Sequence, residues 1–194
     1  MRTKNIARTR NGRPARPRLS KEKWLEQAMS LLEERGPATM LIDSLTTNLG
    51  VTTGSFYHHF KSHREFLEAL TDKYIQDYTR VVPEHLQTLD ISARGRLIEA
   101  TRLIIAKNLG GMDVHFRALA ITYPHLADKI REMDEFRIGV IKGLFEEVGY
   151  RGDELLTRVH AYVVIQSMES AVHSTITADD RLRLIDERVK LLID

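Results

Sequence analysis

Residues 50–70, GVTTGSFYHHFKSHREFLEAL, determine the fold that the sequence predicts. Gly50 follows one short helical segment and precedes another, and Ser62 with Glu65 has the spacing of a capping box that begins a longer helix. Helices as short as the first two are unstable alone, so they have to pack against longer neighbours. A helix beginning at the N-cap residue Ser20 supplies such a neighbour, and the arrangement is typical of a helix-turn-helix.

The side chains of this segment divide into an inner and an outer set. A tight turn between the two short helices favours glycine, as found at Gly50. The residues expected to face inward are Leu45, Leu49, Val51, Phe56 and Phe60. The second short helix, from about Thr52 to His59, turns small or flat hydrogen-bonding groups outward. Such groups suit base edges and phosphate oxygens in a DNA major groove.

The same residues, together with Gly36, Thr39 and Leu45, resemble the DNA-binding domain of the tetracycline-repressor (TetR) family over about residues 20–70. That resemblance implies base contacts from Thr53, Ser55 and His58, and contacts nearer the DNA backbone from Thr52, Tyr57, His59 and Lys61. The family has a lysine where this chain has His63, followed by Arg64. We therefore expect one phosphate contact to be weakened or moved, and His63 stays among the predicted DNA contacts.

The first 19 residues are strongly basic. They carry seven Lys or Arg side chains and no acid, so a chain with a formal net charge of +2 has −5 on the remainder. This asymmetry is typical of an arm that binds a polyanion such as DNA. The Gly12-Arg13-Pro14 sequence resembles an AT-hook core, so we expect Arg13 and the following Arg16 to contact a narrow minor groove. The alternative is a solvated tail.

Beyond residue 70 the sequence predicts a bundle of longer helices. Helix four is expected to continue to about residue 82, where Pro83 limits it. Further helices are expected from about Ser92 to a stop at Gly110-Gly111, from 113 to 121, from Pro124 to about Val148, from Asp153 to about Ser174, and from the Thr177 and Asp180 capping box onward. The predicted fold is all-α: a basic arm (1–19), a three-helix helix-turn-helix domain (20–70) and a C-terminal helical bundle (83–194).

The TetR resemblance implies that the C-terminal half forms a homodimer through its last two long helices and encloses a small-molecule pocket. A surplus of apolar residues in these helices independently favours dimerisation. The predicted interface residues are Val159, Val163, Leu182, Ile185, Val189 and Leu192. The alternative is that other helices of the same chain cover them.

Polar residues within apolar helices are the candidates for the pocket. They are Tyr162, Gln166, Glu169 and His173 on one helix, and His115 and Arg117 on another. The first four follow one another at intervals of four, three and four, which places them on one helix face. A carboxylate at Glu169 would favour a cationic or amine-bearing ligand. The alternative is a solvated or interface face.

Several classes of site have little support in the sequence. The chain has no cysteine, which excludes disulfides, cysteine nucleophiles and thiolate metal sites. His59 and His63 have a spacing used for zinc, but a helix boundary separates them and no third ligand is placed. No nucleophile elbow or phosphate loop is present, so we expect neither catalysis nor a cofactor. No apolar run could span a bilayer, and we expect a cytoplasmic, nucleoid-associated protein.

These observations together predict a homodimeric, one-component transcriptional regulator. It would bind double-stranded DNA at a palindromic operator and be released by a small-molecule effector, with repression as the sign that the family implies. An architectural DNA-binding protein without an effector is the first alternative. The second is an enzyme with a borrowed helix-turn-helix.

Overall fold

The computed structural model describes residues 19–172 and 174–193, and this part of the chain is helical, with no strand. The α-helices are α1 (Lys21–Arg35), α2 (Ile42–Asn48), α3 (Thr53–His59), α4 (His63–Tyr74), α5 (Val81–Gln87), α6 (Ala93–Ala106), α7 (Leu109–Thr122), α8 (Ala127–Val148), α9 (Gly152–Met168), α10 (Ala178–Arg183) and α11 (Ile185–Ile193). The predicted all-α class is confirmed. None of the described helices combines the length and apolarity needed to cross a membrane.

Helix α4 does not run on to residue 82 as predicted. It passes into a π-helical turn at Ile75–Thr79, and α5 begins two residues later. Pro83 does not limit α4 but lies in the first turn of α5, where a proline nitrogen needs no hydrogen-bond partner. A π-helical turn inside a longer helical run often marks a functional site.

The predicted helix stop at Gly110-Gly111 is also wrong. Helix α6 ends at Ala106, and Asn108 takes the left-handed conformation (φ 50°) that separates it from α7. Both glycines lie inside α7, and a Cβ on Gly110 would stand 2.7 Å from the backbone oxygen of Gln166 on α9. Gly110 therefore permits the close approach of α7 to α9 rather than ending a helix.

Two later boundaries also differ from the prediction. Helix α8 begins at Ala127, after a 3₁₀ turn over Pro124–Leu126. Helix α9 ends at Met168, and a second 3₁₀ turn, Glu169–Ala171, follows it, so the helix does not reach Ser174.

The first of two apolar cores lies beneath the helix-turn-helix. The rings of Trp24, Phe56, Phe60 and Phe66 meet mostly edge to face, with centroids 5.1–6.4 Å apart. Such contacts add to the stabilisation from burial alone. The same core takes in residues from α7, the following turn and α8: Met112, Phe116, Leu119, Leu126, Ile130 and Met133. The N-terminal helices and the C-terminal half therefore share one interior.

The second core lies at the opposite end of the bundle. It joins α6, the second half of α8, α9 and α11 around Phe145, Tyr162 and Val189. The Tyr162 hydroxyl is buried within 2.8 Å of Thr101 Oγ1 and 3.2 Å of the Leu97 carbonyl oxygen, which ties α9 to α6. Burial raises the pKa of Tyr162, so the hydroxyl stays protonated.

Candidate nucleic-acid interface and buried cavity

The turn between α2 and α3 has the conformation that the sequence predicts. Gly50 has φ 65°, in the left-handed region that favours glycine. The next residue, Val51, is buried, and its N–H donates to the Thr46 carbonyl oxygen over 3.0 Å. These two residues fix the angle between the helices and hence the direction of α3.

Helix α3 has one buried and one exposed side. Phe56 and, directly after the helix, Phe60 are fully buried. The outward set is Thr52, Thr53, Tyr57 and His58, all exposed, with Ser55 and His59 half-buried. Tyr57 is 53% exposed, and its ring meets Phe56 at 89°, which directs the side chain along the surface. The structure therefore brings six predicted DNA-contact residues together on one polar surface, the α3 face.

Thr52 has a structural task besides. Its Oγ1 accepts from the Ser55 N–H over 3.1 Å and caps the start of α3. Ser62 caps α4 in the same way, but Glu65 accepts from the Lys61 N–H rather than from Ser62 as a reciprocal capping box requires.

His63 does not belong to the α3 face, contrary to the prediction. Its Nε2 lies 2.8 Å from the Met40 carbonyl oxygen, and its ring packs against Tyr123 with centroids 5.3 Å apart. The histidine thus holds α4 to the turn before α2 and to the end of α7. Its neighbour Arg64 is exposed and takes the outward position, paired with Glu68 over 2.9 Å.

Two predicted DNA contacts, Arg13 and Arg16, lie outside the described residues. Lys61, at the end of the α3 face, is exposed. Among the residues that the structure describes, no three His, Asp or Glu side chains are grouped as metal ligands.

A cavity of about 60 Å³ lies between the two apolar cores. Its wall is mostly apolar and comes from α6, α7, α8, α9, α5 and the π-helical turn. The lining includes Tyr78, Thr79, Val82, Asp113, Arg137, Tyr162 and Gln166. Tyr162 and Gln166 were predicted from the sequence, whereas Asp113 and Arg137 were missed.

Asp113 and Arg137 form a buried ion pair in this wall. Arg137 donates to Asp113 Oδ2 over 2.6 Å, and the two side chains are 17% and 5% exposed, respectively. Arg137 also donates to Tyr74 and Thr79 hydroxyls over 3.3 and 3.1 Å. Burial raises the pKa of Asp113, and the charge and hydrogen bond of Arg137 oppose that rise. The pair connects α7 and α8 to the end of α4 and the π-helical turn.

Three predicted ligand contacts lie elsewhere. Arg117 makes a two-pronged ion pair with Asp134 over 2.6 and 2.8 Å, and His115 is half-buried near Gly36. Glu169 is held by Arg188 and approached by Arg181 beside the cavity.

The charge state of Glu169 removes the reason to expect a cationic ligand. Burial alone would raise the pKa of Glu169, but Arg188 and Arg181 outweigh it and leave that pKa lowered. Its negative charge is therefore already neutralised by the protein. His173, the fourth residue of that predicted face, lies outside the described residues.

The predicted dimer residues are mostly inside the protomer. Val159, Val163, Ile185 and Val189 are buried by the chain's own helices, and Leu182 and Leu192 are half-buried. The predicted surplus of apolar residues is nevertheless present on α9, α10 and α11. The exposed apolar side chains there are Leu156, Val164, Ile165, Met168, Leu184 and Leu191, and we call them the α9–α11 face.

Comparison with known proteins finds bacterial transcriptional regulators among both the sequence matches and the fold matches. A family model described as "Bacterial regulatory proteins, tetR family" matches residues 25–70. The HTH-type transcriptional repressor KstR2 of Mycolicibacterium smegmatis is 24% identical over 123 residues, which are 63% of this chain. The match spans 57% of that relative's length.

Solved structures with the same fold cover nearly the whole chain. AibR, solved with isovaleryl coenzyme A and operator DNA, has a TM-score of 0.68 and 15% identity over 91% of this chain and 98% of its own. FadR of Bacillus subtilis, solved with stearoyl-CoA, has a TM-score of 0.64 and 16% identity over 90% and 98%. At these identities the likeness concerns the fold alone.

A turn fixed by glycine, an outward polar helix and an apolar core beneath it define a helix-turn-helix of the DNA-binding class. Its sequence match and the fold of the whole chain specify it further. Residues 25–70 match the tetR family of bacterial regulatory proteins, and nearly the whole chain has the fold of a solved TetR-like regulator, so the predicted resemblance to the TetR family is confirmed.

Proposed function

We propose that this protein is a homodimeric transcriptional regulator that binds a palindromic operator through the α3 face and releases it when a small molecule enters the cavity. One observation carries the proposal: the core that supports α3 continues into α7 and α8, which also form the cavity wall. A displacement of the cavity wall would therefore be transmitted to α3 through packed side chains. The relative KstR2 is named a repressor, which supports repression as the sign of regulation.

The α3 face supplies the groups for sequence recognition. Its hydroxyls and imidazoles can donate to and accept from base edges. The Tyr57 hydroxyl can donate to a phosphate of the DNA backbone. Lys61 and Arg64 provide the nearby positive charge, with Arg64 in place of the His63 contact first expected. The acidic balance of the chain beyond residue 19 leaves most long-range attraction to the basic arm.

The α9–α11 face supports the dimer. Leu191 is 83% exposed in the single chain, and Leu156, Val164 and Met168 recur along one side of α9. Exposed apolar patches often mark protein interfaces. A twofold axis through this face would place two α3 helices against successive major grooves if their centres lie about 34–36 Å apart.

The cavity is too small for most ligands as it stands. Its volume of about 60 Å³ is well below the roughly 150 Å³ of a cavity that holds benzene. A larger ligand therefore has to displace the wall, and the wall includes Tyr78 and Thr79 of the π-helical turn that continues α4. Tyr74, at the end of α4, stacks on Phe116 with centroids 4.0 Å apart.

We expect this displacement to move α4 and, with it, the α3 face. The coupling is reciprocal, so operator DNA would weaken ligand binding by the same factor. AibR and FadR were each solved with an acyl-coenzyme A, which supports a small-molecule role for the C-terminal half of this fold.

Selection of binding sites from randomised DNA with the purified full chain, at about 150 mM salt to screen non-specific attraction, tests the proposal. Enrichment of a palindrome is the expected result. Enrichment of A·T-rich DNA without a palindrome would refute it and favour the architectural alternative, in which the arm dominates.

A further inference from the structure

Two buried oxygen atoms in the cavity wall have no hydrogen-bond partner. They are Asp113 Oδ1 and Gln166 Oε1, on residues that are more than nine-tenths buried. The other oxygen of Asp113 accepts from Arg137, and Gln166 Nε2 donates to Thr101 Oγ1 over 3.3 Å. The Ser167 hydroxyl lies nearby and favours the charged form of Asp113, but it does not complete a hydrogen bond to Oδ1.

Asp113 and Gln166 line the same cavity, on either side of one helix contact. Asp113 is one turn after Gly110 on α7, and Gly110 is the point where α7 meets the backbone of Gln166 on α9. A buried acceptor without a partner destabilises the folded protein, because it has lost its hydrogen bonds to water. Two such acceptors in the wall of one cavity indicate that an occupant supplies the missing donors.

The local charge is already balanced. Asp113 is compensated by Arg137, and Asp134 compensates Arg117, the other cation that acts on Asp113. A cationic occupant would add an unpaired charge to a buried site, and an anionic occupant would bring a third acceptor against two unpaired ones. A neutral donor group satisfies the acceptors without either penalty.

We infer that the effector is a neutral, largely apolar molecule with two hydrogen-bond donors, such as a pair of hydroxyls, which donate to Asp113 Oδ1 and Gln166 Oε1. The inference deepens the proposed function, because it rests on the cavity as the effector site. The apolar remainder of the wall, including Val82, Ile104 and Ile141, accommodates the rest of the molecule.

Calorimetric titration of the full-length protein without DNA tests this chemistry with four probes of one chain length. The probes are octane-1,2-diol, 1,2-dimethoxyoctane, octylammonium and octanoate. The diether keeps both oxygens of the diol and loses only the two donors, while it gains two methyl groups. We expect the diol to bind at least about 10-fold more tightly than the diether, the difference typical of a hydrogen bond to a charged acceptor.

The variant Gln166→Met removes one acceptor and keeps the side-chain length. It should reduce the preference for the diol over the diether by about threefold to tenfold. The control Gln27→Met makes the same change at an exposed glutamine of α1 and should leave the preference unaltered. Urea unfolding of both variants confirms that each is folded.

The outcomes separate the chemistry from the regulatory role. Equal binding of the diol and its diether, tighter binding of either charged probe, or no binding of any probe would overturn the inference. Donor-dependent binding of the diol that leaves DNA affinity unchanged would support the inference and refute the effector-release part of the proposed function.

Discussion

The Asp113–Arg137 pair offers a sharp test of how the cavity wall is held, through the substitution Arg137→Met. This change leaves a carboxylate unpaired at a site where its side chain is only 5% exposed. Removing one partner of such a buried pair typically costs about 3–5 kcal/mol of unfolding free energy. With a urea dependence of about 2–3 kcal/mol per molar, the unfolding midpoint should fall by about 1–2.5 M.

The chain supplies a matched control in the Arg117–Asp134 pair. This pair also joins α7 to α8, but its side chains are 25% and 26% exposed. Arg117→Met should therefore cost about 1 kcal/mol, as expected for a pair that solvent screens. Both variants are compared with the wild type by urea unfolding, followed by far-ultraviolet circular dichroism at one protein concentration, because a dimer's stability depends on concentration.

The pH dependence of unfolding provides a second comparison of Arg137→Met with the wild type. Burial already raises the pKa of Asp113 in the folded protein, and loss of Arg137 removes the main opposing influence. A folded-state pKa above the unfolded one makes the folded protein bind the proton first. The stability deficit of Arg137→Met is then full above the folded pKa and shrinks as the pH falls towards the unfolded value of about 3.9.

We therefore expect the gap between Arg137→Met and the wild type to narrow between pH 8 and pH 5, whereas the gap for Arg117→Met changes little. An equal loss of unfolding free energy in the two variants would show that the burial of Asp113 does not set the cost of removing its partner. A gap for Arg137→Met that is the same at both pH values would refute the reasoning about its protonation.

Three further changes test other parts of the structure. Deletion of residues 2–18 should lower DNA affinity more than any single substitution in α3 and flatten the salt dependence, measured by fluorescence anisotropy over a salt series; an unchanged slope would contradict a role for the arm. Leu191→Glu should convert the proposed dimer to a folded monomer in sedimentation velocity, whereas Ile121→Glu, at an equally exposed site on α7, should leave the proposed dimer intact; a dimeric Leu191→Glu protein would rule out the α9–α11 face. Gly110→Ala should destabilise the fold because its Cβ meets the Gln166 carbonyl at 2.7 Å, while Gly143→Ala, with open space around it in α8, should stabilise it by about 0.5–1 kcal/mol; thermal unfolding distinguishes the two, and equal effects would contradict the close helix contact.

Local signals in the sequence were sufficient to predict the helix-turn-helix. The freedom of Gly50, the caps at Ser20 and Ser62, and the inward spacing of Phe56 and Phe60 all act within a few residues. They also agree with one another, and such agreement makes a sequence prediction dependable.

The sequence predictions fail where a residue's role depends on a contact with a residue far away in the sequence. A pair of glycines such as Gly110-Gly111 is typical of a helix end, but the small size of Gly110 allows α7 to contact α9. Asp113 and Arg137 are 24 residues apart on different helices, so spacing gives no sign of their pairing. The one local hint was a carboxylate within the mainly apolar stretch GGMDVHFRALA, because buried acids almost always have a partner.

The interior shared by α1–α4 and α7 limits how this protein can be recombined. A chimera that joined residues 20–82 to an unrelated sensor would leave Tyr74 without Phe116 and His63 without Tyr123. Residues 20–82 are therefore not an independent module that can be moved without their packing partners. A change of DNA specificity is better sought by exchanging the outward residues of α3, most of which are exposed, than by exchanging whole domains.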